Sequence, residues 1–136
     1  MESDNWERFK ENGWLLYSVS KTFDKCVYKI DMVVDDTFKN TKFWVSVSSG
    51  NKRKDLEIFM EKDKKSTGGI KALLWCKTMI LSFPDFYRLK NNYNKPCYIH
   101  IHWSDNKRRN IYERLLKEGF KYMIIDNKKI LIKEFK

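Results

Sequence analysis

Residues 64–83 read Lys64-Lys65-Ser66-Thr67-Gly68-Gly69-Ile70, followed by KALLWCKTMILSF. The change of period across this stretch decides the fold. Before it, Leu56–Glu61 alternates as a strand, with Leu56, Ile58 and Met60 on one face and Glu57, Phe59 and Glu61 on the other. After Gly69 the apolar residues recur at helical spacing. Ile70, Leu73, Leu74, Lys77 and Leu81 share a stripe that Trp75, Met79 and Ile80 widen. The spacing predicts a helix over 70–83, with Pro84 beyond it where a helix ends or kinks. A strand, a glycine-bearing loop and a helix N-terminus, in that order, can cradle a pyrophosphate. The free N–H groups of the first helical turn point at the anion, and glycine lets the backbone approach it. Here Lys64 and Lys65 add positive charge. Alternatively Ser66 or Thr67 merely caps the helix. The stretch contains neither a G-x-x-x-x-G-K-[ST] nor a G-x-G-x-x-G pattern.

Upstream, Trp14–Ser20, Cys26–Val34 and Lys42–Ser48 also alternate, and Ser49-Gly50-Asn51 signals a turn. Together with 56–61 they predict an antiparallel meander. Residues 3–12 predict one short helix, with Ser3 as N-cap, Gly13 as its stop and Trp6, Phe9 and Trp14 as its apolar side. Downstream, Cys97–Trp103 reads as a buried strand, and Ser104-Asp105-Asn106 offers N-cap chemistry for a helix over Lys107–Glu118. Ile111 and Leu115 mark its apolar face, with Tyr112 and Leu116 beside them, and Gly119 ends it. Tyr122–Ile125 and Lys129–Phe135 flank Asp126-Asn127 as a hairpin. The fold class is therefore mixed α+β: an antiparallel meander followed by a β-α-β-α-β C-terminal half.

The 136 residues suit one domain, 1–136. Apolar residues at 42% and aromatic residues at 15% supply a core and exclude a wholly disordered chain. No apolar run approaches the roughly 18–20 residues of a membrane span. The polar, acidic N-terminus does not read as a secretory signal. Cys26, Cys76 and Cys97 are too few and too scattered for a disulfide frame or a CxxC zinc site, which points to reduced thiols and a cytoplasmic protein. Cys76 and Cys97 read as small core residues.

The net charge of +10 is unevenly placed: residues 1–63 carry −1 and residues 64–136 carry +11. The basic half suits a polyanion, whether a nucleic acid, a phosphate-bearing cofactor or an acidic protein. Its densest cluster is Lys107, Arg108 and Arg109. Three cations at a helix start oppose the helix dipole, and an anion would relieve them. The 3′-phosphate of coenzyme A and a nucleic-acid backbone are the candidates.

The loop at 64–70, the helix after it, strand 97–103, helix 107–118 and Lys117-Glu118-Gly119-Phe120 together resemble the C-terminal half of a GNAT-type acyltransferase, over about residues 50–136. In that family a Q/R-x-x-G-x-G/A loop binds the pyrophosphate of acetyl-CoA. Lys64 falls at its Gln/Arg, Thr67 at its first Gly and Gly69 at its last Gly/Ala, with Gly68 beside them. The resemblance implies a cofactor site of Lys64, Lys65, Ser66, Thr67, Gly68, Gly69 and Ile70, with Asn106 and Arg109 at the later helix start. It also implies direct acyl transfer to an amine, the carbonyl held by a strand N–H near 59–61. Glu57 and Glu61 share a strand face and are the candidate general bases; solvated glutamates on a half-exposed strand are the plainer account. The family's tyrosine acid would stand at Leu115, so Tyr112, one turn earlier, serves only if the helix is reoriented. The pattern is also similar to that of small phage-encoded proteins, which would place the chain in the host cytoplasm or the virion. The other reading is a non-catalytic module of the same fold, a phage structural component or inhibitor, binding nucleic acid or protein through its basic half.

His100 and His102 are the only histidines and share a strand face with Tyr98. Two imidazoles alone do not make a metal site. A polar interior face or a pocket wall is the expectation.

Overall fold

A computed structural model of the protein describes residues 6–36, 39–50, 57–58, 69–102 and 117–136. Among the described residues there are eight strands: β1 (Glu7–Glu11), β2 (Trp14–Phe23), β3 (Cys26–Asp36), β4 (Thr41–Gly50), β5 (Glu57–Ile58), β6 (Cys97–His102), β7 (Lys121–Ile125) and β8 (Lys128–Phe135). One long helix, α1, covers Gly69–Asn91. The strands form one sheet in the order β1-β2-β3-β4-β6-β8-β7, with β5 attached to β4. Every pair is antiparallel except β4 and β6, which run parallel from Thr41↔Cys97 to Val45↔Ile101. The fold is thus mixed α+β, as the sequence predicts. Among the described residues no helix is long and apolar enough to cross a membrane.

The N-terminal segment corrects the sequence reading. Residues 7–11 are not a helix but the edge strand β1, paired with Trp14–Ser18 of β2. The cause lies in Asn12-Gly13, both at positive φ (51° and 82°). That dipeptide makes the two-residue turn whose twist matches a hairpin, rather than a helix stop. Asp24-Lys25 and Asp126-Asn127 turn the chain in the same way, with φ of 46° and 65°, and 51° and 63°.

The period of two separates the sheet's faces cleanly. Tyr17 and Val19 of β2, Cys26, Tyr28, Ile30, Met32 and Val34 of β3, Phe43, Val45 and Val47 of β4, and Cys97, Ile99 and Ile101 of β6 are all buried toward α1. α1 closes over them with Ala72, Trp75, Cys76, Met79, Ile80, Phe83 and Tyr87. This stripe is rotated from the expected one: Leu74 is 44% exposed and Lys77 is half-buried. Larger rings at 75, 83 and 87 outcompete Leu74 for the sheet. They also carry α1 through Pro84, eight residues beyond the expected end at 83, because burying Phe83, Phe86 and Tyr87 outweighs one lost helical hydrogen bond. Phe83 is the hub, with ring centroids 4.8 Å from Trp6 and Phe43 and 5.4 Å from Tyr17.

Lys117 ends a helical turn, and Gly119 follows at φ 95°, the left-handed C′ conformation expected of it. Lys77 Nζ donates to Glu118 Oε1 at 2.8 Å, and Lys133 Nζ donates to the Glu118 carbonyl, so this turn is held to both α1 and β8. At the other end of α1, Arg88 donates to the carbonyls of Lys95, Phe135 and Lys136.

Cys26, Cys76 and Cys97 are all buried and free. Desolvation pushes the Cys76 thiol up to about 12. Thiolate, the reactive form, is therefore scarce at neutral pH. A disulfide reagent at pH 7.5 should label Cys76 of the native protein at least a hundredfold more slowly than in urea. Equal rates in both would contradict the buried placement.

Candidate functional site

The parallel pair β4–β6 positions the candidate site. Its ladder ends at Val45↔Ile101, yet β4 continues to Gly50. Past that point Ser48 and Ser49 pair instead with Ile58 and Glu57 of β5. The parallel ladder thus stops one residue before the end of β6, and β4 runs on past it.

α1 runs antiparallel to these two strands. Its first half lies toward the C-terminal end of β4: the Trp75 ring lies tilted, 5.9 Å from that of Phe23, which borders the β2–β3 turn. Its second half lies at their beginnings, where Tyr87 meets Phe43 at 5.0 Å and the Tyr93 hydroxyl bonds Thr41. Thr41 Oγ1 in turn donates to Asp36 Oδ1 at 2.9 Å. The N-terminus of α1 thus lies toward the C-terminal end of β4. It starts at Gly69, has no acidic residue in its first turn, and is followed far down by Arg88 and Lys90 in its last. That charge order leaves the positive end of the dipole free for an anion.

Of the residues singled out by sequence, Gly69 and Ile70 open α1, and Glu57 stands in β5 opposite Ser49. Those three belong to the elements at the C-terminal end of β4. Glu61, Lys64, Lys65, Ser66, Thr67, Gly68, Asn106, Lys107, Arg108, Arg109 and Tyr112 lie outside the described residues.

The opposite face of the sheet carries a polar cluster that the motif search did not assemble. The parallel register sets Trp44 beside His100, with ring centroids 4.6 Å apart, and Tyr98 lies 6.5 Å from His100. Of the two expectations for the histidines, a polar interior face or a pocket wall, His100 fits the first: it is only 5% exposed, and its Nδ1 has no hydrogen-bond partner. Its pKa is held down to about 4, first by burial and then by the Lys42 ammonium, with Asp35 pulling the other way. His100 is a neutral imidazole at physiological pH. The signal was present in the alternation of Lys42-Phe43-Trp44 against Tyr98-Ile99-His100, but only the parallel register brings the two triplets together. Further along this face, Glu7, Phe9, Glu11, Leu16, Ser18, Ser20 and Lys29 border a concavity of about 250 Å³. Among the described residues no three His, Cys, Asp or Glu side chains gather as a metal site.

No family model matches the chain, and comparison with curated proteins and with solved structures returns no match either.

Proposed function

We propose that the chain is a GNAT-like acyltransferase that takes an acetyl group from acetyl-CoA and gives it to an amine. The observation that carries this reading is the crossover: α1 begins at Gly69, its first half lies toward the C-terminal end of β4, and the strand after it, β6, runs parallel to β4. The pyrophosphate of the cofactor would sit at the helix N-terminus, where free N–H groups favour an anion. The antiparallel meander β1–β4 and the β4–α1–β6 crossover support the GNAT-like arrangement of the sheet. The residues assigned to the pyrophosphate are Lys64, Lys65, Ser66, Thr67, Gly68, Gly69 and Ile70, with Asn106 and Arg109 for the remaining phosphate. Glu57 or Glu61 takes the proton from the attacking amine, directly or through water, and Tyr112 returns one to the departing thiolate.

Calorimetric titration with acetyl-CoA tests the site. Wild-type protein should bind with a Kd on the order of micromolar. Gly69→Glu should weaken binding at least tenfold, because it sets a carboxylate against the phosphates while leaving a helix start that tolerates acid. No binding at about 1 mM ligand overturns the reading. It would leave the non-catalytic module, holding nucleic acid or an acidic protein through Lys107, Arg108 and Arg109, which titration with DNA and RNA at several salt concentrations would then test.

A further inference from the structure

The two edges of the sheet are built differently. β1 closes one edge with Glu7, Arg8, Lys10 and Glu11, four charges in five residues. Charge of this density is how an edge strand avoids pairing with other chains. β7 closes the other edge with KYMII. Among the described residues it pairs only with β8. Tyr122, Met123, Ile124 and Ile125 are 45%, 47%, 65% and 36% exposed, on both faces of the strand. An open row of backbone donors and acceptors flanked by four large apolar side chains is an unprotected edge.

We propose that β7 is where two copies of this chain meet, paired antiparallel about a two-fold axis at Met123, so that the two sheets run on as one. The strand is complementary to itself in this register. Tyr122 of each copy faces Ile124 of the other, Met123 faces Met123, and Lys121 faces Ile125. An aromatic residue opposite a β-branched one is a favourable cross-strand pair. The only charge of the strand, Lys121, faces no like charge. It also comes beside the other copy's Asp126, the residue that follows Ile125. A two-fold axis makes both halves of the contact identical, as an isologous dimer requires. Each chain carries +10, so long-range repulsion opposes pairing and salt should strengthen it. An acidic partner on this edge would show the reverse.

Sedimentation equilibrium and a cysteine variant test the proposal together. At about 100 μM protein and roughly physiological salt, the wild type should have the mass of two chains, and more so at higher salt. Ile124→Lys should shift it to one chain with an unchanged melting temperature, since Ile124 is largely exposed. Phe9→Lys, on the opposite edge, should leave the dimer intact. Met123→Cys sets two Cβ atoms face to face across the axis, within the roughly 4–7 Å Cα spacing of a disulfide. Oxidised glutathione should therefore link that variant into a covalent dimer. Tyr122→Cys, offset from its own copy, should not link. A wild type that stays monomeric at all these salt concentrations overturns the proposal. So does an Ile124→Lys variant that remains dimeric, or equal crosslinking of the two cysteine variants.

Discussion

Phe83→Ala should lower the free energy of unfolding by about 3–5 kcal/mol, the range for an aromatic side chain deleted from a closed core. Phe83 has no exposed surface. Its ring meets Tyr17 of β2, Phe43 of β4, Trp6 just before β1, and Phe86 and Tyr87 of its own helix. Deleting it opens a void beneath β2 and β4, and the surrounding rings are too stiff to fill it. Urea unfolding gives the measurement, with the slope checked for constancy between variants. Leu89→Ala is the matched control: it removes an aliphatic side chain from the same helix at 83% exposure, and should cost within about 0.5 kcal/mol of nothing. If both variants cost the same, α1 does not dock on the sheet as described.

The second large effect is a dependence on pH. His100 has a folded pKa of about 4 against an ordinary 6.5, so the unfolded chain binds a proton that the folded chain refuses. Stability from this group is complete above the unfolded value. It falls as pH drops from about 6.5 to about 4, and it changes no further below that, where both states are protonated. The difference of about 2.5 units corresponds to about 3 kcal/mol. Lys42 deepens the effect and Asp35 moderates it. Carboxylates elsewhere also titrate in this window, so the useful quantity is the difference between wild type and His100→Phe. That variant keeps a ring against Trp44 and removes the unpartnered Nδ1. The gap between the two should shrink by about 3 kcal/mol in the variant's favour from pH 7 to pH 4, read from denaturant midpoints. A gap that stays constant would mean that His100 is protonated in the native state.

Much of the sheet was legible because its signals are local. In β3, residues 26–34 alternate without a break, and the structure buries the even positions and half-exposes the odd ones, as periodicity alone assigns them. Asp126-Asn127 and Gly119 likewise carry their backbone conformation in their residue types. The errors came where two local signals conflicted. Ser3 and Gly13 read as helix punctuation, but Asn12 next to Gly13 also encodes a hairpin, and pairing with β2 settled the competition. Pro84 read as a stop, yet the aromatic residues after it belong to the core and carry the helix onward. The site was less legible than the fold. Gly69 at the start of α1 is visible in the sequence, whereas the strands beside it depend on where a parallel ladder stops. No residue type records that stopping point. Nor does either triplet, Lys42–Trp44 or Tyr98–His100, reveal that the other is its neighbour.

The parallel ladder between β4 and β6 also bears on how the chain reaches this structure. On one side of it, β1 to β4 are joined through tight turns and near-neighbour pairing; on the other, β7 and β8 form a hairpin of their own. Thr41 must find Cys97 across the whole of β5 and α1. That closure gives up the entropy of a long loop before any contact rewards it, while each hairpin forms at a small entropic cost. This separation predicts that folding starts at the turns and that the seam between β4 and β6 closes late, so that weakening the seam should speed unfolding more than it slows folding.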